Sequence, residues 1–169
     1  MTSTDSLVAA FDTAEHSIFR LERLQHYAGD PNFDRFLAGE PWQDTESKRH
    51  WVDLVQRRAA CGVAMQRVHV VDRPWSDYMR FEITWSYPHN VRAGEDVRIT
   101  AEAREAYGAV GDFWMVDDHN VWAMRYDPAG QLTSVEDMSA DAAFIVACRE
   151  AKTIALTSSE PLIRVTATL

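Results

Sequence analysis

Between Asp112 and Asp117 the chain runs Phe113-Trp114-Met115-Val116, four apolar residues in a row. Successive side chains of an extended strand point to opposite faces, so Phe113 and Met115 share one face and Trp114 and Val116 the other. A strand apolar on both faces has to be covered on both. That pattern points to a sheet with packed layers on each side, with one face closing a pocket or a partner surface as the alternative. Val121 to Tyr126 reads as the partner strand, and the polar residues between them read as a tight turn centred on His119-Asn120.

The stretch before this hairpin supplies the rest of an α/β pattern. Residues 63–71 are rich in β-branched residues and read as a strand. After Asp72-Arg73-Pro74, Ser76 is placed to cap a helix from Asp77 to about Tyr87, with Tyr78, Phe81 and Trp85 at helical spacing, although Phe81, Ile83 and Trp85 also alternate as in a strand. Ala93-Gly94 turns into a short strand over 96–100. Strand, helix and strand in that order make a βαβ unit with two parallel strands. Downstream, Asp127-Pro128-Ala129-Gly130 is a turn into a strand at 131–136. Ser139 or Asp141 then caps a last helix, with Phe144, Cys148, Ala151 and Ala155 inward. The N-terminal third reads as helical: residues 5–28 with an Asp12/Glu15 capping box, a short helix at Phe33, Phe36 and Leu37 closed by Gly39, and residues 47–60 ended by Cys61-Gly62. The expectation is one α/β domain over residues 1–169: a helical part to 60, a core over 61–157 with a mixed sheet of about five strands, and a tail over 158–169.

Composition bounds the functions. The 169 residues carry a formal charge of -9 with 26 acidic residues, which argues against direct nucleic-acid binding. No run approaches the roughly 18 apolar residues of a membrane span, and the N-terminus lacks the basic start of a signal peptide. A cytoplasmic protein without membrane attachment is predicted. Cys61 and Cys148 have no partner spacing and read as buried thiols.

Motifs of chemistry are sparse. The histidines (His16, His26, His50, His69, His89, His119) form no zinc spacing, so no metal is predicted. Asp117, Asp118 and His119 could supply ligands, but neighbouring strand residues diverge and a turn explains them better. No Gly-rich phosphate loop and no Gly-x-Ser-x-Gly elbow occurs, and no cofactor is predicted. A hydrolase reading would rest on His69 with Asp72, or on Asp117, Asp118 and His119. The stronger candidate is a ligand- or partner-binding cluster of Arg80, Glu82, Trp85, Asn90, Asp112 and Trp114. It would lie at the carboxyl ends of parallel strands, the usual ligand crevice of open α/β sheets.

Phe19-Arg-Leu-Glu22, the Asp77-to-Glu82 helix, Ala93-Gly-Glu-Asp-Val-Arg98 and Asp112-Phe-Trp-Met-Val-Asp-Asp118 resemble an actinobacterial domain-of-unknown-function family. The resemblance runs from about Phe11 to Leu156. Members are encoded beside helix-turn-helix regulators, which implies such a regulator as partner and a role in a regulatory locus. The layout is also similar to half of a phospholipase D-like domain, which implies a homodimer. That superfamily works through His-x-Lys-x-x-x-x-Asp. Ile18, Ala28, Val52, Val71, Val91 and Val121 occupy the position of the lysine here, so its catalytic motif is missing. The predicted function is a non-enzymatic regulatory or interaction domain binding a protein partner or small ligand. A degenerate phosphodiesterase/hydrolase, or a toxin-like protein of the locus, is the alternative.

Overall fold

The computed structural model describes residues 2–167; Met1 and the last two residues of the expected tail, Thr168 and Leu169, lie outside the described residues. Its centre is a mixed sheet of seven strands in the order β6-β5-β4-β1-β2-β3-β7. These are β1 (Ser17–Glu22), β2 (Ala64–Val70), β3 (Asp96–Thr100), β4 (Asp112–Val116), β5 (Asn120–Tyr126), β6 (Leu132–Asp137) and the two-residue β7 (Glu160–Pro161). β1, β2 and β3 run parallel, and β4, β5, β6 and β7 join antiparallel to their neighbours. The fold is α/β, as the sequence indicated, with two more strands than expected.

The helical reading of the N-terminal third needs correction. Helix α1 covers only Ser3–Thr13, with its capping box on Thr2 and Asp5 rather than on Asp12 and Glu15. The chain then enters the sheet as β1, its central strand. Phe11, Ala14, Ile18 and Leu21 do recur at helical spacing, but Leu21 belongs to a different apolar cluster from the other three. Within β1 the side chains alternate instead, Phe19 and Leu21 against Arg20 and Glu22. Pairing with β2 on one side and β4 on the other outweighs local helical preference there. Helix α2 (Pro31–Leu37) and helix α3 (Glu46–Ala60, capped by Thr45) lie where expected.

The βαβ unit stands, with parallel β2 and β3 in register from Gln66/Asp96 to Val70/Thr100. Its connection is longer than the sequence suggested. Helix α4 (Asp77–Phe81), capped by Ser76, passes into a π-helical segment (Glu82–Ser86) and then helix α5 (Tyr87–Ala93). Helix α6 (Ala142–Ser158) follows, capped by Asp141, and the tail forms β7 and helix α7 (Leu162–Thr166).

Both faces of β4 are covered. Phe113 and Met115 pack with Phe19, Leu21, Val68 and α6, and Trp114 and Val116 pack with Phe11, Ile18, Met65 and α3. Cys148 is buried in the first cluster, which pushes its thiol pKa up to about 12, whereas Cys61 is exposed at the end of α3, contrary to expectation. The hairpin turn also differs in register. Asp117 and Asp118 hold the positive φ angles, 52° and 60°, and β5 already begins at Asn120.

Asp117 has a structural task. Its carboxylate accepts the backbone N–H groups of Glu15, His16 and Ser17 at 2.9, 2.7 and 2.9 Å, fastening the start of β1 to the hairpin. Burial alone would raise its pKa, but the three N–H donors lower it. A depressed carboxyl contributes stability that is complete above its unfolded pKa and lost as pH falls through the folded value. Asp117→Asn, which tolerates the left-handed backbone, is therefore expected to lower stability by about 1–3 kcal/mol at pH 7. Urea titrations should show that difference shrinking below about pH 4, where the unfolded chain takes up the proton first and the folded carboxyl only at lower pH.

Candidate functional site

The strands β1 and β2 carry charge on one face only. Phe19, Leu21, Val68 and Val70 face α6, so Arg20, Glu22, Arg67 and His69 emerge on the other side, all buried. Parallel pairing sets Arg20 beside Arg67 and Glu22 beside His69. The neighbouring β4 brings Asp112 to the same face, and β5 brings Tyr126.

These groups form one network. Arg67 donates from Nη1 to Glu22 at 2.6 Å and from Nε to Glu95 at 2.8 Å. Arg20 donates from Nη2 to Asp112 at 3.2 Å and to the Tyr126 hydroxyl at 2.9 Å. Tyr87 donates to Glu22 at 2.8 Å, and the Tyr27 hydroxyl bonds to Asp112. His69 Nε2 faces the Leu24 carbonyl at 2.6 Å, which can only accept, so this nitrogen carries a proton. The guanidinium of Arg67 also lies over Trp51, Trp114 and Tyr87 at 5.4–5.8 Å. Burial opposes charge at Glu22, yet Arg67 and Arg20 hold its carboxyl far below the usual range. Asp112 is raised, because burial there exceeds the pull of Arg20 and Tyr27.

Beside this network opens a cavity of about 410 Å³. Its floor is Glu22 and Arg67. One wall is a stripe at four-residue intervals, Tyr78, Glu82, Ser86 and Asn90, along α4, the π segment and α5. The wide π turn keeps this spacing on one side, a local irregularity common at functional sites. Lys48 and Trp51 of α3, with Trp42, continue that wall, where Lys48 reaches Ser86 and Asn90, and the rim comes from Tyr27, Asp30, Tyr126 and Gly130. Gly130 sits at φ +82° against the carbonyl of His26, where a Cβ would come within 2.5 Å. That close approach joins the turn after β5 to the loop after β1.

Two wall residues have shifted acidities. Lys48 donates to Asn90 Oδ1 at 2.6 Å and Ser86 Oγ at 3.0 Å, and burial lowers its pKa. Glu82 accepts from Tyr78 at 2.8 Å, and burial, reinforced by the nearby Glu22, raises its pKa to about 7.

Of the six residues the sequence proposed, Glu82 and Asn90 line this cavity, and Asp112 lies buried behind its floor. Arg80 is exposed beside Arg73 and Trp75 in a separate surface depression, and Trp85 packs on Phe36 and Trp42. Trp114 is core, edge-on to Phe11. The hydrolase candidates do not converge: Asp72 is exposed on Arg104, Asp118 binds Lys152, and His119 is exposed on the Asp117 carbonyl. Among the described residues no group of three or more His, Cys, Asp or Glu could hold a metal ion. Lys48, Arg67, Tyr78 and Ser86 were missed. The alternation of Phe19-Arg-Leu-Glu22 and of Arg67-Val-His-Val70 was the available signal, once both are read as strands.

Removing Arg67 would leave Glu22 and Glu95 as buried acids without their main counter-ion. Arg67→Met is expected to cost about 3–5 kcal/mol in chemical denaturation, and adding Glu22→Gln to recover part of the loss.

No curated protein matches this chain. Among solved structures it is similar to NucT from Helicobacter pylori, at 14% identity over 94% of this chain and 90% of that one, with a TM-score of 0.47. No helix among the described residues is long and apolar enough to cross a membrane. Residues 5–165 match a domain of unknown function, and the chain belongs to that family, DUF6879.

Proposed function

We propose that this protein is a non-enzymatic regulatory or interaction domain that binds a small polar ligand in the cavity between α3 and the α4–π–α5 run. One observation carries the reading. A cavity of about 410 Å³, within the range of small-molecule sites, is lined by aromatic rings together with charged groups that have hydrogen-bonding capacity to spare. It adjoins the carboxyl end of β1, where the sheet changes from parallel to antiparallel pairing, and ligand crevices of open α/β sheets favour such places.

A hydrolytic reading has one observation in its favour, the 3.0 Å contact of Lys48 Nζ with Ser86 Oγ. Lysine serves as the base for serine in some hydrolases. Ser86, however, stands within a helical run, whose backbone N–H groups are committed to helix bonding and form no oxyanion hole. A nucleophile is ordinarily presented at a sharp turn instead.

A thermal-shift screen of small polar metabolites tests the proposal. A true ligand at 100 times its Kd is expected to stabilise the protein by about 2.7 kcal/mol, a rise of roughly 5–10 °C for a chain of this size. Quenching or shift of tryptophan fluorescence from Trp42 and Trp51 should accompany it. A screen with no stabilising compound would sink the reading. Hydrolysis of activated esters that disappears in Ser86→Ala would replace it with the enzymatic one.

A further inference from the structure

The cavity wall holds two opposite charges that no ion pair satisfies among the described residues. Lys48 donates only to the neutral Ser86 Oγ and Asn90 Oδ1. Glu82 accepts only from the Tyr78 hydroxyl, on Oε1. Elsewhere on this face the buried charges are matched, Glu22 and Glu95 by Arg67 and Asp112 by Arg20. A buried charge without a partner is costly. The fold pairs its other buried ions and leaves these two facing a cavity.

Their spacing narrows what could satisfy both. Glu82 and Ser86 stand one helical turn apart, and Lys48 Nζ lies 3.0 Å from Ser86 Oγ. The two charges are thus neighbours along one wall, yet they form no direct pair. Asn90 Nδ2 and Arg67 Nη2 make no hydrogen bond among the described residues and add donors on the side of Lys48. A simple anion bound there would meet the Glu82 carboxylate, and a simple amine would meet the Lys48 ammonium. A molecule with an acid and an amine one carbon apart answers both, and leaves its third substituent to the rings of Trp42, Trp51, Tyr27 and Tyr126.

We infer that the cavity takes a small zwitterion of the α-amino acid class, with its carboxylate on Lys48, Asn90 and Arg67 and its ammonium on Glu82. This inference rests on the ligand-binding reading above and names its ligand class. Glu82 must be ionised to hold the ammonium. The groups facing it are Tyr78 from α4, Glu22 from β1, Lys48 from α3 and Arg67 from β2. Because burial and Glu22 raise its pKa to about 7, binding at lower pH releases a proton. Affinity therefore rises with pH up to about 7, by up to about tenfold per unit, and then levels off.

Isothermal titration of the full chain with each standard L-amino acid tests this, alongside the N-acetyl derivative and the decarboxylated amine of each. At least one amino acid is expected to bind at least about tenfold more tightly than both of its derivatives. Glu82→Gln keeps the acceptor for Tyr78, and should weaken the amino acid by a similar factor, leave the N-acetyl derivative unchanged and flatten the pH profile. Lys48→Met should abolish binding without lowering the thermal midpoint, since it removes an unpaired, desolvated ammonium. The inference is overturned if N-acetyl derivatives bind as well as their parents, or if affinity falls as pH rises through 7. Should no amino acid bind while other metabolites stabilise the protein, the ligand class is wrong and the cavity reading stands. If nothing binds, both fail.

Discussion

Arg67 lies at the middle of the sheet with its guanidinium between the carboxylates of Glu22 and Glu95 and against the rings of Trp51, Trp114 and Tyr87. Five elements meet at this one side chain: β1 through Glu22, β2 as its own strand, α3 through Trp51, β4 through Trp114, and the α4–π–α5 run and its end through Tyr87 and Glu95. The contact with Glu22 depends on the parallel register of β1 and β2, which puts Arg20 beside Arg67 and Glu22 beside His69. A slip of one residue would turn these ions toward the apolar layer under α6. The buried charges therefore specify the register while contributing little net stability over an apolar core of equal volume.

The same strands explain what could be read in the sequence and what could not. Phe113 to Val116 announced a doubly covered strand because apolar residues occupy both faces, and the parallel pair β2 and β3 followed from β-branched runs around a capped helix. β1 did not show itself. Its polar positions are charged residues on a buried face, so an alternation that is normally the mark of a half-solvated strand merged with the helical spacing of Phe11, Ala14 and Ile18. Long-range pairing with β2 and β4 decides the conformation of Ser17–Glu22, and no local pattern encodes that.

The site was legible in part for a related reason. Glu82 and Asn90 were singled out with Arg80 and Trp85 as polar and aromatic residues of one stretch, and both line the cavity. Arg80, in α4 ahead of the π segment, lies two residues from Glu82 and so faces another side of the helix, and Trp85, three residues on within the wide π turn, packs on Phe36 and Trp42 instead. Lys48 gave no local signal: it is one of the chain's two lysines and stands on an ordinary polar helix. Its meaning depends on α3 packing across from α5, which only the tertiary fold brings about.

How the cavity is held decides how it can work. Its rim is the loop after β1, tied at Leu24 by His69, at Gln25 by the Val70 carbonyl at 2.8 Å and at Tyr27 by Asp112. The turn after β5 is fixed to that loop where Ala28 donates to the Gly130 carbonyl at 3.0 Å. Asn32 exchanges two hydrogen bonds with the Gln43 backbone and so secures the segment bearing Trp42. If the cavity binds a ligand as proposed, a rim anchored in this way would require little ordering, and the cost of binding would fall mainly on the ligand. In the proposed binding mode Lys48 and the ionised Glu82 would act as a dipole along the wall, and charges held in this way discriminate between ligands by how well they are neutralised. On the proposed reading, selectivity would come from charge pattern, with the aromatic rim setting the size of the remaining substituent.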